Sequence, residues 1–271
     1  MTYAFPPAGM PAMTDDPATS GAVFTTAYAF IPASVMRDIV ASLLPGWIHT
    51  RAWIIARPMT GFAETFAQYA VEVAPGGGAA TPEPDQGAEA GLFVARGEMQ
   101  LTLDGQTHHL TSGSYAYVPP GLRWSLQNTG TAPLQFHWLR KRYEPALGLT
   151  TPDPILTSDS ATPVSWMSGT NDWGTTRFAD PDDLRHDMHV NIVTFLPGGR
   201  IPFAETHIME HGLYVLQGTA RYLLNRDWVE VGPGDFMWLR AYCPQACIAT
   251  GSEPFRYLLY KDVNRHPALK L

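Results

Sequence analysis

Apolar and polar residues alternate in short runs along most of this chain, and the runs stop at glycine and proline. From Ala63 to Val73, the stretch Glu64-Thr-Phe-Ala-Gln-Tyr-Ala-Val-Glu-Val reads as a strand. Pro75-Gly-Gly-Gly is expected to end it, and residues 79–89 to form a polar loop. Gly91-Leu-Phe-Val-Ala-Arg and Glu98-Met-Gln-Leu-Thr-Leu follow. Asp104-Gly105 then predicts a tight hairpin turn, because both positions of such a turn need a backbone that Asp and Gly tolerate. Gln106-Thr-His-His-Leu, the Ser112 to Val118 run and Leu134 to Arg142 complete this half. Residues 19–60 hold short apolar pieces such as Ala22-Val-Phe-Thr and Trp53-Ile-Ile-Ala. Ser34 to Leu44 reads equally as a helical turn or a strand pair.

The second half repeats the first. Gly97 maps onto Gly218, Gly113 onto Gly234, Phe136 onto Tyr257 and Arg140 onto Lys261, all at an offset of 121. Pro75-Gly-Gly maps onto Pro197-Gly-Gly at 122, so one residue was gained or lost before the central hairpin. A period this long is a duplicated domain. Regular short strands predict an all-β fold with a jelly-roll or barrel in each copy. The expected division is an N-terminal arm over 1–18, a first domain over 19–144, a linker over 145–185 rich in proline and polar residues, and a second domain over 186–271.

Composition narrows the function. The net charge of -7 and the absence of a basic run argue against a nucleic-acid footprint. No apolar run approaches the roughly 18 residues of a membrane span, and the start lacks the features of a signal peptide. The expectation is a soluble cytoplasmic protein. The two cysteines, Cys243 and Cys247, do not make a structural zinc site and are expected to pack as small apolar residues.

The chemistry concentrates in one stretch, Pro197-Gly-Gly-Arg-Ile-Pro-Phe-Ala-Glu205-Thr-His207-Ile-Met-Glu-His211, followed by an alternating run to Gly218. Glu205 and His207 are two apart, so an extended backbone points both to one face, and His211 can return to it after a short connection. A carboxylate and two imidazoles suit a divalent ion such as manganese, iron or zinc. The competing reading is a set of polar residues on a solvated strand. The repeat carries its own control. At an offset of 121 the ligand-type positions fall in the first copy on Pro84, Gln86, Ala90 and Trp124, none of them a strong ligand, while the turn glycines persist.

Tyr257 and Lys261 share a face of the last alternating run. A barrel-lining Lys261 could pair with a substrate carboxylate, whereas a strand-end lysine would simply face solvent. Tyr222 can line the same cavity or the core. His189 and Asn191 lie on an alternating run before the motif, open to either a pocket or a core reading. His49, His108, His109, His137 and His266 have no matching partners and read as structural or surface residues.

The run from Glu205 to Gly218, together with Gly232-Pro-Gly234 and Gln245, resembles the paired motifs of the cupin superfamily. Glu205 and His207 stand where paired histidines are usual, His211 replaces the glutamate, and Gln245 replaces the second-motif histidine. Within that superfamily the chain is similar to the (S)-ureidoglycine aminohydrolase family, from about residue 20 onward. The resemblance is sharpest at Glu205-Thr-His-x3-His-Gly, at Gln245 and at Tyr257-x3-Lys261-Asp-x-Asn264-Arg265. It implies two tandem cupin domains, the first without a metal site. It also implies one Mn2+ per chain held by Glu205, His207, His211 and Gln245, and substrate contacts from Tyr222, Tyr257 and Lys261. The implied activity is an amidine-hydrolase-class release of ammonia from (S)-ureidoglycine to give (S)-ureidoglycolate in purine (allantoin) breakdown. Glu205 is the candidate to move protons, with Lys261 neutralising the carboxylate. Two-domain cupins commonly associate through strand edges, so a homo-oligomer is expected. Two other classes compete: a cupin dioxygenase or isomerase acting on a small carboxylic acid, and a non-catalytic binding protein.

Overall fold

The computed structural model describes residues 2–3, 21–35, 40–263 and 265. Apart from residues 2–3, the expected arm over 1–18 lies outside the described residues, as do Asn264 and His266. The fold is all-β, as the alternation predicts: among the described residues, one three-residue 3-10 turn, Pro58–Thr60, accompanies antiparallel strands. No helix among the described residues is long and apolar enough to cross a membrane.

Two compact units result. The first comprises residues 1–10, 38–58 and 65–161. Its nine-stranded sheet is built around Ala67–Ala79, which pairs with Trp47–Ala56, Leu134–Arg142 and Trp124–Gln127. The Asp104-Gly105 hairpin forms as expected between Glu98–Leu103 and Gln106–Thr111, with φ of 46° and 86° at its two turn residues. One expectation fails: Pro75-Gly-Gly-Gly bends the strand without ending it. Gly78 has φ 141°, and a Cβ there would strike the Leu126 carbonyl oxygen, so the ladder passes this point only because the side chain is absent.

The second unit comprises residues 11–37, 59–64 and 162–271. One sheet runs in the order Val164–Trp166, Trp173–Arg177, Met188–Phe195, Phe255–Asp262, His211–Gln217, Phe236–Leu239, Tyr28–Ile31, Val23–Phe24. A second sheet holds Asp227–Val231, Ala220–Leu224 and Gln245–Ala249. Their inner faces share a core that includes Phe195, Leu213, Val215, Tyr222, Cys247, Phe255, Tyr257 and Leu259. Both cysteines are buried and free, as expected.

The units cut the chain differently from the expected domains. Tyr28–Ile31, expected in the first domain, pairs with Phe236–Leu239 of the second unit. Tyr28 Oη donates to Asp227 Oδ2 at 2.7 Å, and the Ala33 amide donates to Asp235 Oδ1 at 2.7 Å. The strand covers an edge and buries Tyr28, Ala29 and Phe30, a gain that local pattern cannot assign to one copy or the other. The expected linker also supplies strands. Ile155–Ser158 pairs with Ser114–Val118 in the first unit, and Val164–Trp166 pairs with Trp173–Arg177 in the second. Of the ambiguous 34–44 segment, Val40–Ala41 is a short strand paired with Thr2–Tyr3, and residues 36–39 lie outside the described residues.

Strand register makes the repeat concrete. Gly97 and Gly218 have φ of 84° and 72°, and a Cβ on either would press against a backbone oxygen, of Pro133 and Pro254 respectively. The offset is 122 where Ala79 pairs with Leu126 and Ile201 bonds to Cys247. It is 121 where Ala90 faces Arg140 and His211 faces Lys261. The one-residue change therefore falls between, in the segment that carries Glu205 and His207.

Candidate functional site

The Glu205 to His211 segment is tied to the end of the Gln245–Ala249 strand by its backbone. Glu205 and Gln245 exchange both amide-to-carbonyl bonds at 2.9 Å, and the Tyr242 amide donates to the His207 carbonyl at 2.6 Å. Tyr242 takes a left-handed φ of 64° to turn the chain at this point.

Side chains complete a circuit on this frame. His207 Nε2 lies 3.2 Å from Glu205 Oε1, and the rings of His207 and His211 have centroids 5.1 Å apart. His211 Nδ1 lies 3.4 Å from Gln245 Nε2, and Tyr222 Oη donates to Gln245 Oε1 at 2.7 Å. The four sequence-chosen positions are thus brought together, with Tyr222 behind Gln245. The Tyr222 and Tyr257 rings meet edge to face, with centroids 6.1 Å apart. Lys261 is the cross-strand neighbour of both His211 and His189.

Burial sets the protonation of the cluster. It pushes the His211 imidazole down to about 3, with help from His207 and Lys261. It pushes His189 down to about 4, with Lys261 and His186 acting the same way. The phenols of Tyr222 and Tyr257 are raised by burial first, with Glu205 adding to it, so both stay protonated. Burial, then Arg177, lowers Lys261, and Asp262 opposes them.

Among the described residues no three His, Cys, Asp or Glu side chains stand as ready ligands around one point. Glu205 and His207 contact one another instead. The donor set nevertheless suits one divalent cation. It offers a carboxylate oxygen, two imidazoles and an amide oxygen. A half-turn of the Gln245 amide exchanges its oxygen and nitrogen and turns the oxygen toward His211.

One residue at the site escapes sequence reasoning. Glu210, buried at 6% exposure, accepts from Trp238 Nε1 and the Glu64 amide, and its own amide donates to Asp262 Oδ1 at 2.6 Å. These bonds anchor the residue immediately before His211. The only signal would have been strand register, which sets Gly212 opposite Trp238. Of the histidines without matching partners, His137 is buried with Nδ1 3.4 Å from Gln68 Nε2, a core role.

Comparison with known proteins follows the same outline. The Cupin domain family matches residues 69–140 and 191–260. The (S)-ureidoglycine aminohydrolase of Escherichia coli K12 is 32% identical over 230 residues, covering 84% of this chain and 86% of that protein. The (S)-ureidoglycine aminohydrolase of Arabidopsis thaliana is 33% identical over 229 residues, covering 84% of this chain and 74% of that protein. The crystal structure of a putative glyoxylate-induced protein from Pseudomonas aeruginosa is 56% identical. It superposes with a TM-score of 0.90 over 100% of this chain and 99% of the other.

Proposed function

Because the chain belongs to the (S)-ureidoglycine aminohydrolase family of two-domain cupins, we propose that it releases ammonia from (S)-ureidoglycine to give (S)-ureidoglycolate, as a metal-dependent step of purine breakdown. The observation that carries this reading is the circuit of Glu205, His207, His211 and Gln245, beside the half-buried cation of Lys261, in the second unit alone.

These four residues would hold a single divalent ion, with Mn2+ the first candidate. Bound there, the ion would supply Lewis-acid polarisation of the chelated substrate. The chain's own residues do the rest. Lys261 pairs with the substrate carboxylate in a partly desolvated setting, where the pairing is stronger than in water. The protonated hydroxyl of Tyr257 donates to the ureido carbonyl. Glu205 moves protons: it delivers one to the departing amine and takes one from the water that supplies the new hydroxyl. Substrate and water are consumed, and hydroxy acid and ammonia result. The apolar walls of Leu213, Val215 and Leu259 limit bulk water at the reacting carbon. The protein is expected to act as a homo-oligomer in the cytoplasm.

The test is ammonia release from freshly generated ureidoglycine by metal-stripped protein reloaded with Mn2+. Metal-dependent release that yields only (S)-ureidoglycolate is the expected result. Release no faster than the spontaneous rate, with one ion bound per chain, would leave the metal centre standing and discard the substrate.

A further inference from the structure

In the second unit the side chains that face the core form rows across three strands. One row is His189, Lys261 and His211, and another is Val193, Tyr257 and Val215. Between them lies the row of Asn191, Leu259 and Leu213. The ladder along Met188–Phe195 is regular, so Asn191 shares its face with Val193 and Phe195, both in the core cluster. Asn191 is 2% exposed, and its Oδ1 has no hydrogen-bond partner among the described residues.

A buried carbonyl oxygen without a donor is costly, and an apolar side chain would fill this leucine row at no such cost. We infer that Asn191 is a specificity-determining residue whose side-chain oxygen accepts from the terminal amide N–H of a ureido group. The inference rests on the proposed function. Lys261 takes the carboxylate, Glu205 the departing amine and Tyr257 the ureido carbonyl. Two donors remain on the substrate, the internal ureido N–H next to the reacting carbon and the terminal NH2 farther from it. The row below Lys261 holds one unsatisfied acceptor, which is assigned to the terminal NH2. The position excludes ligands that put a methyl or methylene at that point, because the oxygen would stay unpaired.

Two inert ligands isolate the contact. N-carbamoylglycine and N-acetylglycine both carry a carboxylate and an acylamino group, and differ by NH2 against CH3 at the end. Calorimetric titration of each into the full chain loaded with Mn2+ is expected to favour N-carbamoylglycine by about tenfold or more. Asn191→Leu should reduce that preference to near unity while the melting temperature holds, since no satisfied bond is lost. Asn191→Val, better suited to a strand, provides the same readout should the leucine variant not fold. A preference that survives in either folded variant overturns the inference, as does a wild-type protein that does not distinguish the two ligands. Wild-type protein that hydrolyses ureidoglycine without that preference removes only the role of Asn191. Wild-type protein that neither hydrolyses ureidoglycine nor binds either ligand removes both proposals.

Discussion

The two units treat equivalent positions in opposite ways. Where the second has Gln245, His211, Tyr257 and Lys261, strand register gives the first Trp124, Ala90, Phe136 and Arg140. Trp124 meets Trp138 edge-on at 5.9 Å, and Trp47 and Tyr69 pack on Trp138 at 5.6 and 5.5 Å, so aromatic rings fill the space. Arg140 lies over Trp138 at 5.4 Å and donates two bonds of 2.7 Å to Glu83. Glu83 matches Glu205 at an offset of 122 and lies between Ala79 and Ala90, the segment where the offset changes from 122 to 121. The first unit therefore engages its cation, Arg140, with its own carboxylate, whereas Lys261 at the matching position of the second makes no ion pair among the described residues. The difference teaches that the same strand position carries a cation in both units, and that its partner separates a structural role from a free one. A guanidinium already bonded to a carboxylate fits a structural role, whereas Lys261, without such a bond, fits pairing with a substrate carboxylate.

The sharpest way to break this comparison is to neutralise each carboxylate. Glu205→Gln is expected to lower kcat by about 10²–10⁴-fold while an ion still binds. Glu83→Gln should leave kcat of the folded protein unchanged. Metal content measured beside kcat checks the claim. Equal loss of metal and turnover in Glu205→Gln would remove Glu205 as the proton carrier.

Exchanging the cations comes next. Arg140→Met leaves Glu83 buried without its partner and should cost about 3 kcal/mol of stability, read as a lower melting temperature. Lys261→Met should leave the melting temperature nearly unchanged and raise KM. If Arg140→Met changes KM while stability holds, the structural reading of the first unit fails.

The smallest effect is shared by both units. Burial holds His137 of the first unit and His189 of the second down to about 4, below the ordinary value of 6.5. The unfolded chain therefore takes up these protons first as pH falls. Stability is fully present above about pH 6.5 and is lost progressively down to about pH 4, by at most roughly 3 kcal/mol for each histidine. Melting temperatures across that range should flatten in His137→Gln. An unchanged profile would mean that His137 takes up its proton alike in the folded and the unfolded chain.

Much of this was legible in the chain itself. Period-two alternation, Asp104-Gly105 and the repeated glycines at 97 and 218 reflect local backbone requirements, and these act the same way in any context. The grouping of Glu205, His207 and His211 was legible because the three lie close in sequence, and Gln245 because motif spacing marks it. Glu83 was not. A single offset of 121 put Pro84 opposite Glu205; the Pro75-Gly-Gly match at 122 showed that one residue had been gained or lost, but not at which position.

The sequence by itself determined the all-β character, the duplication and the asymmetry of ligand-type residues between the copies, since each depends on residue type at short range. Tertiary structure alone decided that Tyr28–Ile31 completes the second unit, that Glu210 anchors the residue before His211, and that Asn191 sits unpaired among leucines. Those facts depend on which strand edges are free and how rows align across strands, and both are settled by packing between segments far apart in the chain.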